Sequence, residues 1–258
     1  MDSPRKVVFF LPVFSGRPVS TLMNLLLLTP DDFVSEDQVR LTGRRFKHIR
    51  HVHRATIGDR LRVGVANGLM GEGIITDANA NFLTMQVTLT EIPPPALPLT
   101  VLLALPRPKM LKRSLQHLTS LGVKTIVLIN SYRVEKSFWQ SPWLRPEVIE
   151  AQCILGLEQA RDTVMPTVLL EKRFKPFVED RLPAMASNKT ALVAHPAGAN
   201  LCPRRLNTSA VIAIGPEGGF IPYEVKKLEE AGFQAIHLGT RILRVETVVT
   251  ALVSKLYD

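Results

Sequence analysis

Apolar residues recur along this 258-residue chain in two different rhythms. Before residue 92 they come in short alternating runs. Asp59–Val65 and Phe82–Leu89 place them near every second position, the period of a half-buried strand. Val7–Val13 is a further β-rich run, and Asn67-Gly68 and Gly71 mark turns. One stretch between these has helical spacing, with Phe46, Ile49 and Val52 at i, i+3 and i+6 within Arg44–Arg54. The pattern predicts a small β-barrel carrying a short amphipathic helix.

Beyond residue 98 strand-like and helical stretches alternate. Leu99–Ala104, Lys124–Ile129, Ala191–Ala194, Ala210–Ile214 and Ala235–Leu238 read as strands, the last three with no polar alternation. Helical stretches separate them: Met110–Leu121 ending at Gly122, Pro146–Arg161, Tyr223–Ala231 and a C-terminal helix. Apolar strands divided by helices imply an α/β fold, a parallel sheet with helices on both faces. The seam is Ile92-Pro93-Pro94-Pro95-Ala96-Leu97-Pro98, too rich in proline for a helix or a central strand. The expected organisation is a barrel over 1–92, a stiff linker over 93–98 and an α/β domain over 99–258.

Composition narrows the function. Hydrophobic residues are 46% and charged residues 21%, ordinary for a soluble globular protein. Apolar runs such as Leu22–Leu28 fall short of the roughly 18 residues a membrane span needs. No secretory cleavage pattern follows the N-terminal Val-Val-Phe-Phe, so a cytoplasmic protein without membrane contact is expected. Cys153 and Cys202 stand alone, which argues for buried reduced thiols and against a metal cluster. Thirty-two Lys/Arg against 23 Asp/Glu give a net charge of +9. Arg40–Arg62 alone holds eight Lys/Arg, three histidines and one acid, Asp59. Such imbalance suits a nucleic acid, with Arg44, Arg45, Lys47, Arg50 and Arg54 as phosphate contacts. His48, His51 and His53 lack metal-site company and join that basic face. Trp139 and Trp143, near Lys136 and Arg145, are candidates for base stacking or for core packing.

Each of the last three strands runs into an unusual turn. These are His195-Pro196-Ala197-Gly198, Gly215-Pro216-Glu217-Gly218-Gly219-Phe220, and Gly239-Thr240-Arg241-Ile242-Leu243-Arg244-Val245-Glu246-Thr247. In open α/β sheets ligands bind outside the carboxyl ends of strands, so three such turns describe one pocket. A glycine turn before a helix suggests phosphate, but Glu217 places a carboxylate where the phosphate would lie. A cationic cofactor held by backbone amides fits better, and S-adenosylmethionine, with its sulfonium charge, meets that description.

GPEGGF after a strand, paired with LGTRILRVET before the last helix, resembles the RsmE family of SPOUT-type RNA methyltransferases. The resemblance extends through LTG…HIRHVHRATIGDRLRV near the N-terminus, Leu121-Gly122-Val123, and Glu158-Gln159-Ala160-Arg161 followed by Pro166. It implies a PUA-like N-terminal barrel that holds RNA and a C-terminal SPOUT domain tied in a deep trefoil knot. It also implies a homodimer that binds S-adenosylmethionine and methylates N3 of one uridine in 16S rRNA of the small ribosomal subunit. By motif position, cofactor contacts fall on His195, Pro196, Gly215, Glu217, Gly218, Gly219, Leu238, Gly239, Ile242, Leu243 and Arg244. Three departures stand out. Val245 replaces the family's usual threonine, Ser120 its usual acid before Leu-Gly-Val, and the stretch around Leu22–Asp32 is longer.

Methylating uracil N3 requires loss of its proton and support for charge on O2 and O4. The candidate base is Glu246, with Arg161 and Arg244 as charge stabilisers. Glu246 fits equally as a carboxylate answering the free amides of a helix N-terminus. His195 reads as a turn former and Glu217 as a cofactor or backbone brace. The alternative from another class is a non-catalytic RNA-binding or ribosome-assembly factor that keeps the fold.

Overall fold

The computed structural model describes residues 25–51 and 55–257. The predicted strand at Val7–Val13, the residues Val52–Arg54 and the side chains of Arg44, His48 and His51 lie outside the described residues.

The N-terminal rhythm forms a curled five-stranded sheet. Its strands are β1 (Leu26–Leu28), β2 (Gln38–Thr42), β3 (Arg60–Val65), β4 (Met70–Ala78) and β5 (Phe82–Glu91), in spatial order β1-β3-β4-β5-β2. Neighbours run antiparallel except β1 and β3, which are parallel. The edges β1 and β2 are not paired with each other among the described residues, which form a half-barrel. Helix α1 (Gly43–His51) turns Phe46 and Ile49 into a core with Leu41, Leu61, Val63, Leu83 and Met85. The first two positions of the helical spacing read from sequence, Phe46 and Ile49, are thus buried. Strand β1 is three leucines, too short for any periodicity to reveal.

The seam is shorter than its proline content suggests. Ile92–Ala96 has no regular structure, but Leu97 and Pro98 already belong to β6 (Leu97–Ala104). A proline is tolerated at the start of a strand, where its missing N–H breaks no ladder bond. From there the chain builds α2 (Pro108–Ser120), β7 (Val123–Ile129), α3 (Pro146–Ala160) and β8 (Thr167–Glu171). A helical stretch follows, α4 (Phe174–Pro176) and α5 (Leu182–Ala186), joined by one wide turn at Phe177–Arg181. The last elements are β9 (Thr190–Ala194), β10 (Asn200–Leu201), β11 (Ala210–Ile214), α6 (Pro222–Glu230), β12 (Gln234–His237) and α7 (Val245–Tyr257).

All seven strands β6–β12 are parallel, in the order β10-β12-β9-β11-β6-β7-β8. The central strand β11 is buried at every position, as an uninterrupted apolar run requires when helices cover both faces. After β6 the chain moves outward to β7 and β8, whereas β11 and β9 lie on the other side of β6. The carboxyl ends of β6 and β11 therefore flank a switch point, where an open sheet leaves a crevice.

At the opposite, amino edge the two sheets are joined. Thr163 Oγ1 donates to Gly68 O at 2.6 Å, Asn67 N to Thr163 O at 2.8 Å, and Met165 N to Asn67 Oδ1 at 2.9 Å. Leu27 N donates to Glu158 Oε1 at 3.3 Å, and Leu25, Leu27, Met70 and Leu157 close a small shared core. Beside the joint, Lys124 Nζ meets the buried Asp162 carboxylate at 2.5 Å and donates to Val164 O at 2.6 Å.

Candidate active site

The crevice at the switch point is a cavity of about 800 Å³. Three segments predicted from sequence reach it. Pro196 follows β9, Gly215, Glu217, Gly218 and Gly219 follow β11, and Ile242, Leu243, Arg244 and Glu246 lead into α7. The residues after β6, Arg107, Lys109 and Met110, line it too, and sequence reading missed them. Their signal was weak, because a single Arg-Pro-Lys before a helix is a common start.

Local chemistry explains the shape of the glycine turn. A Cβ on Gly215 would sit 2.9 Å from Phe220 N, so no side chain fits where the turn folds back on itself. Gly219 has φ +73°, a backbone region that L-residues rarely adopt. The turn presents backbone rather than side chains to the cavity. Glu217 is exposed, and its Oε1 accepts a bond from Arg107 N at 3.1 Å. It ties the turn after β11 to the turn after β6, the bracing role read from its place in the motif.

The remaining predicted residues divide. His195 does not line the cavity: its Nδ1 accepts from Ala197 N at 3.2 Å and its N donates to Ile236 O at 2.9 Å, so it shapes the turn. Leu238 packs against the core and Gly239 donates its N–H to His237 Nδ1 at 3.2 Å; neither lines the cavity. Arg244 is exposed and Glu246 half-buried, and among the described residues no hydrogen bond or ion pair engages either side chain. Val245, the departure from threonine, is buried in the core between them and also lines the cavity.

Arg161 is a correction. It ends α3 in a left-handed conformation, φ 55° and ψ 53°, at the joint with the half-barrel. Strand β7 spans seven residues, so the amino and carboxyl edges are about 20 Å apart. Arg161 therefore does not reach this chain's own cavity with Glu246 and Arg244.

The basic helix also divides. Arg45 forms a two-pronged ion pair with the buried Asp32, at 2.5 and 2.8 Å, and donates to Leu27 O at 3.1 Å. It is a structural residue rather than a free phosphate contact. Arg50 donates to Asn79 O and lies over the Phe46 ring. Lys47 is exposed and, among the described residues, unpaired. Trp139 donates Nε1–H to Asn130 Oδ1 at 2.9 Å and packs on the core, whereas Trp143 is partly exposed with Lys112 Nζ 3.8 Å from its ring centre. Both thiols are buried, and burial pushes Cys153 and Cys202 above the usual thiol range.

Among the described residues no cluster of three or more His, Cys, Asp or Glu is placed to hold a metal, and no helix is long and apolar enough to cross a membrane. The cavity instead fits S-adenosylmethionine by its donor set. It offers glycine-turn backbone, the apolar walls of Ile214, Leu243 and Val248, and carboxylates that suit a sulfonium.

Known proteins agree with this geometry. A protein of Treponema pallidum named ribosomal RNA small subunit methyltransferase E is 29% identical over 235 residues, 89% of this chain and 88% of that protein. One of the same name from Synechocystis is 26% identical over 254 residues, 96% of this chain and 82% of that protein. The crystal structure of ribosomal RNA small subunit methyltransferase E from Neisseria gonorrhoeae bound to S-adenosyl methionine has the same fold. Its TM-score is 0.71 at 23% identity, covering 90% of this chain and 95% of that one. The RNA methyltransferase domain family matches residues 93–257, the seam and the whole seven-stranded unit with its cavity, and the chain belongs to that family.

Proposed function

We propose that this RNA methyltransferase uses S-adenosylmethionine to methylate N3 of a uridine in 16S rRNA of the small ribosomal subunit. The observation that carries the reading is the cavity at the β6/β11 switch point, where an unengaged carboxylate and an unengaged guanidinium share one wall. Bound there, S-adenosylmethionine supplies an electrophilic methyl carbon. Pro196, Gly215, Glu217, Gly218, Gly219, Ile242, Leu243 and Arg244 hold it, mainly through backbone and apolar contact. Glu217 keeps the turns after β6 and β11 in register by accepting from Arg107 N.

Glu246 takes the N3 proton of the uracil. It sits in the first turn of α7 and lines the cavity, with no hydrogen bond or ion pair among the described residues to occupy its carboxylate. Arg244, two residues earlier on the same wall, faces the negative charge that spreads to O2 and O4 as the proton leaves. Arg107 and Lys109 at the rim, together with exposed Lys47 on α1, supply phosphate contacts that position the RNA without reading sequence. Cytoplasmic location and assembly as a homodimer follow from the same reading.

The test is methyl transfer from labelled S-adenosylmethionine to small subunits lacking the modification, with the product nucleoside identified by mass spectrometry. The expected product is 3-methyluridine. Transfer to another position would retain the enzyme class and refute the N3 assignment. Binding of RNA without any transfer would favour an assembly factor.

A further inference from the structure

Beside the cavity, the carboxyl edge carries two exposed aromatic rings that the transfer chemistry does not use. Tyr132 is 79% exposed and Tyr223 is 48% exposed. One buried carboxylate holds their backbones together. Glu224, 2% exposed, accepts from Tyr132 N at 2.7 Å, from Ser131 Oγ at 3.2 Å and from Ile221 N at 3.0 Å. The loop after β7 is thereby pinned to the first turn of α6, where Tyr223 is the neighbour of Glu224. The next residue of the loop, Arg133, donates to Gly218 O, and its side chain lies so close over Gly218 that a Cβ there would be 2.9 Å from Arg133 Cδ. Gly218 lines the cavity, so Tyr132 is one residue from a side chain that touches its wall, and Tyr223 is held to the same loop through Glu224.

Cations outnumber acids around this platform. Arg107 and Lys109 rim the cavity, Arg133 and Lys136 are exposed on the loop, and Lys112 lies over Trp143 near its end. Exposed acids on or beside the same elements are largely engaged: Glu217 accepts from Arg107 N, and Glu179 and Glu230 pair with Lys227 on α6, while Glu135 lies on the loop. Exposed ring faces set among excess positive charge match the chemistry of single-stranded RNA, whose bases stack on aromatics while its phosphates meet arginine and lysine. A guanidinium has five N–H donors, so the bond to Gly218 leaves Arg133 donors for a phosphate.

We propose that Tyr132 and Tyr223 form a base-stacking subsite, with Arg133 as its phosphate contact, for a single-stranded nucleotide adjoining the one that enters the cavity. The proposal rests on the RNA methyltransferase reading above. It explains why the β7–α3 loop is fastened to α6 by a buried carboxylate: the platform is held at a fixed distance from the reacting base.

The experiment uses the full chain as wild type and as Tyr132→Ala, Tyr223→Ala, Tyr132→Trp and Arg133→Ala. Methyl transfer is measured against unmodified small subunits, and binding against a fluorescent single-stranded oligouridylate over a range of salt. Melting temperature and cofactor affinity are measured alongside to exclude misfolding. Each tyrosine-to-alanine change is expected to raise KM for RNA about 5- to 100-fold with kcat within about twofold. Tyr132→Trp should keep the wild-type KM. The slope of log affinity against log salt should stay unchanged in the tyrosine variants and fall by about one in Arg133→Ala. Unchanged KM and oligonucleotide affinity in the folded Tyr132→Ala/Tyr223→Ala double variant would overturn the proposal. Altered self-association with RNA affinity intact would overturn it too, marking the surface as a protein interface. If the wild type transfers no methyl group, the reading of function fails separately. The oligonucleotide arm still decides the subsite, since tyrosine-dependent affinity upholds it and tyrosine-independent affinity ends it.

Discussion

The two edges of the seven-stranded sheet are built from similar residues and do opposite things. At the amino edge Asp162, Lys124, Thr163, Asn67 and Glu158 all meet partners, and the groups they satisfy are the backbone and side chains of the joint with the half-barrel. At the carboxyl edge Glu246 and Arg244 meet none among the described residues and face a cavity of about 800 Å³. A buried polar group whose bonds are all used internally holds a shape. One left unspent toward a cavity is available for chemistry. Both edges carry motifs that resemble one family, yet resemblance alone did not separate the two roles. Hydrogen-bond accounting separates them, and the position of Arg161 at the end of α3 puts it at the amino edge, away from this chain's own cavity.

The largest effect that would sharpen this contrast is at Glu246. Glu246→Gln should lower the rate of methyl transfer by about 10²- to 10⁴-fold, the usual size for losing a general base. Cofactor affinity, read by calorimetry, should move little. Asp162→Ala should act in the other currency. It strands Lys124, whose side chain is 12% exposed, and should cost about 3–5 kcal/mol of stability in urea unfolding. A smaller contrast lies within α1. Arg45→Ala leaves the Asp32 carboxylate buried without its partner and should cost about 1–2 kcal/mol, discounted because Arg45 is partly solvated. Lys47→Ala should leave melting unchanged and reduce the salt slope of RNA binding by about one. The smallest effect concerns the thiols. With burial holding Cys153 and Cys202 protonated, iodoacetamide at neutral pH should label neither in the folded protein and both in urea.

Much of this arrangement was legible in the sequence because it rests on periodicity. Strands β6, β7, β9, β11 and β12 and helices α1, α2, α3, α6 and α7 follow from apolar spacing. The cavity follows from three glycine- and proline-marked turns at one sheet edge. What escaped reading lacks a period or depends on distant partners. Strands β1 and β10 have three and two residues, and β4 is broken by a register shift after Met70 and another after Ile75. Asp32 is 13 residues from Arg45, so the basic run looked like free charge until the fold supplied its acid. Glu224 drew no attention within its predicted helix, and only its burial against Ser131 and Tyr132 reveals it as the clasp of a loop. Arg161 sits at a helix end whose position in space no local spacing encodes.

The most direct measurement is single-turnover methyl transfer at saturating RNA by Glu246→Gln and Thr163→Val, with thermal melting of both. Thr163→Val removes the donor to Gly68 O at the joint and changes nothing at the cavity. The account predicts native melting with a transfer rate reduced at least about 100-fold for Glu246→Gln. For Thr163→Val it predicts a stability loss of about 1–3 kcal/mol with a native rate constant. A native rate in Glu246→Gln, or a slow rate in a fully stable Thr163→Val, would contradict the division between an edge that reacts and an edge that joins.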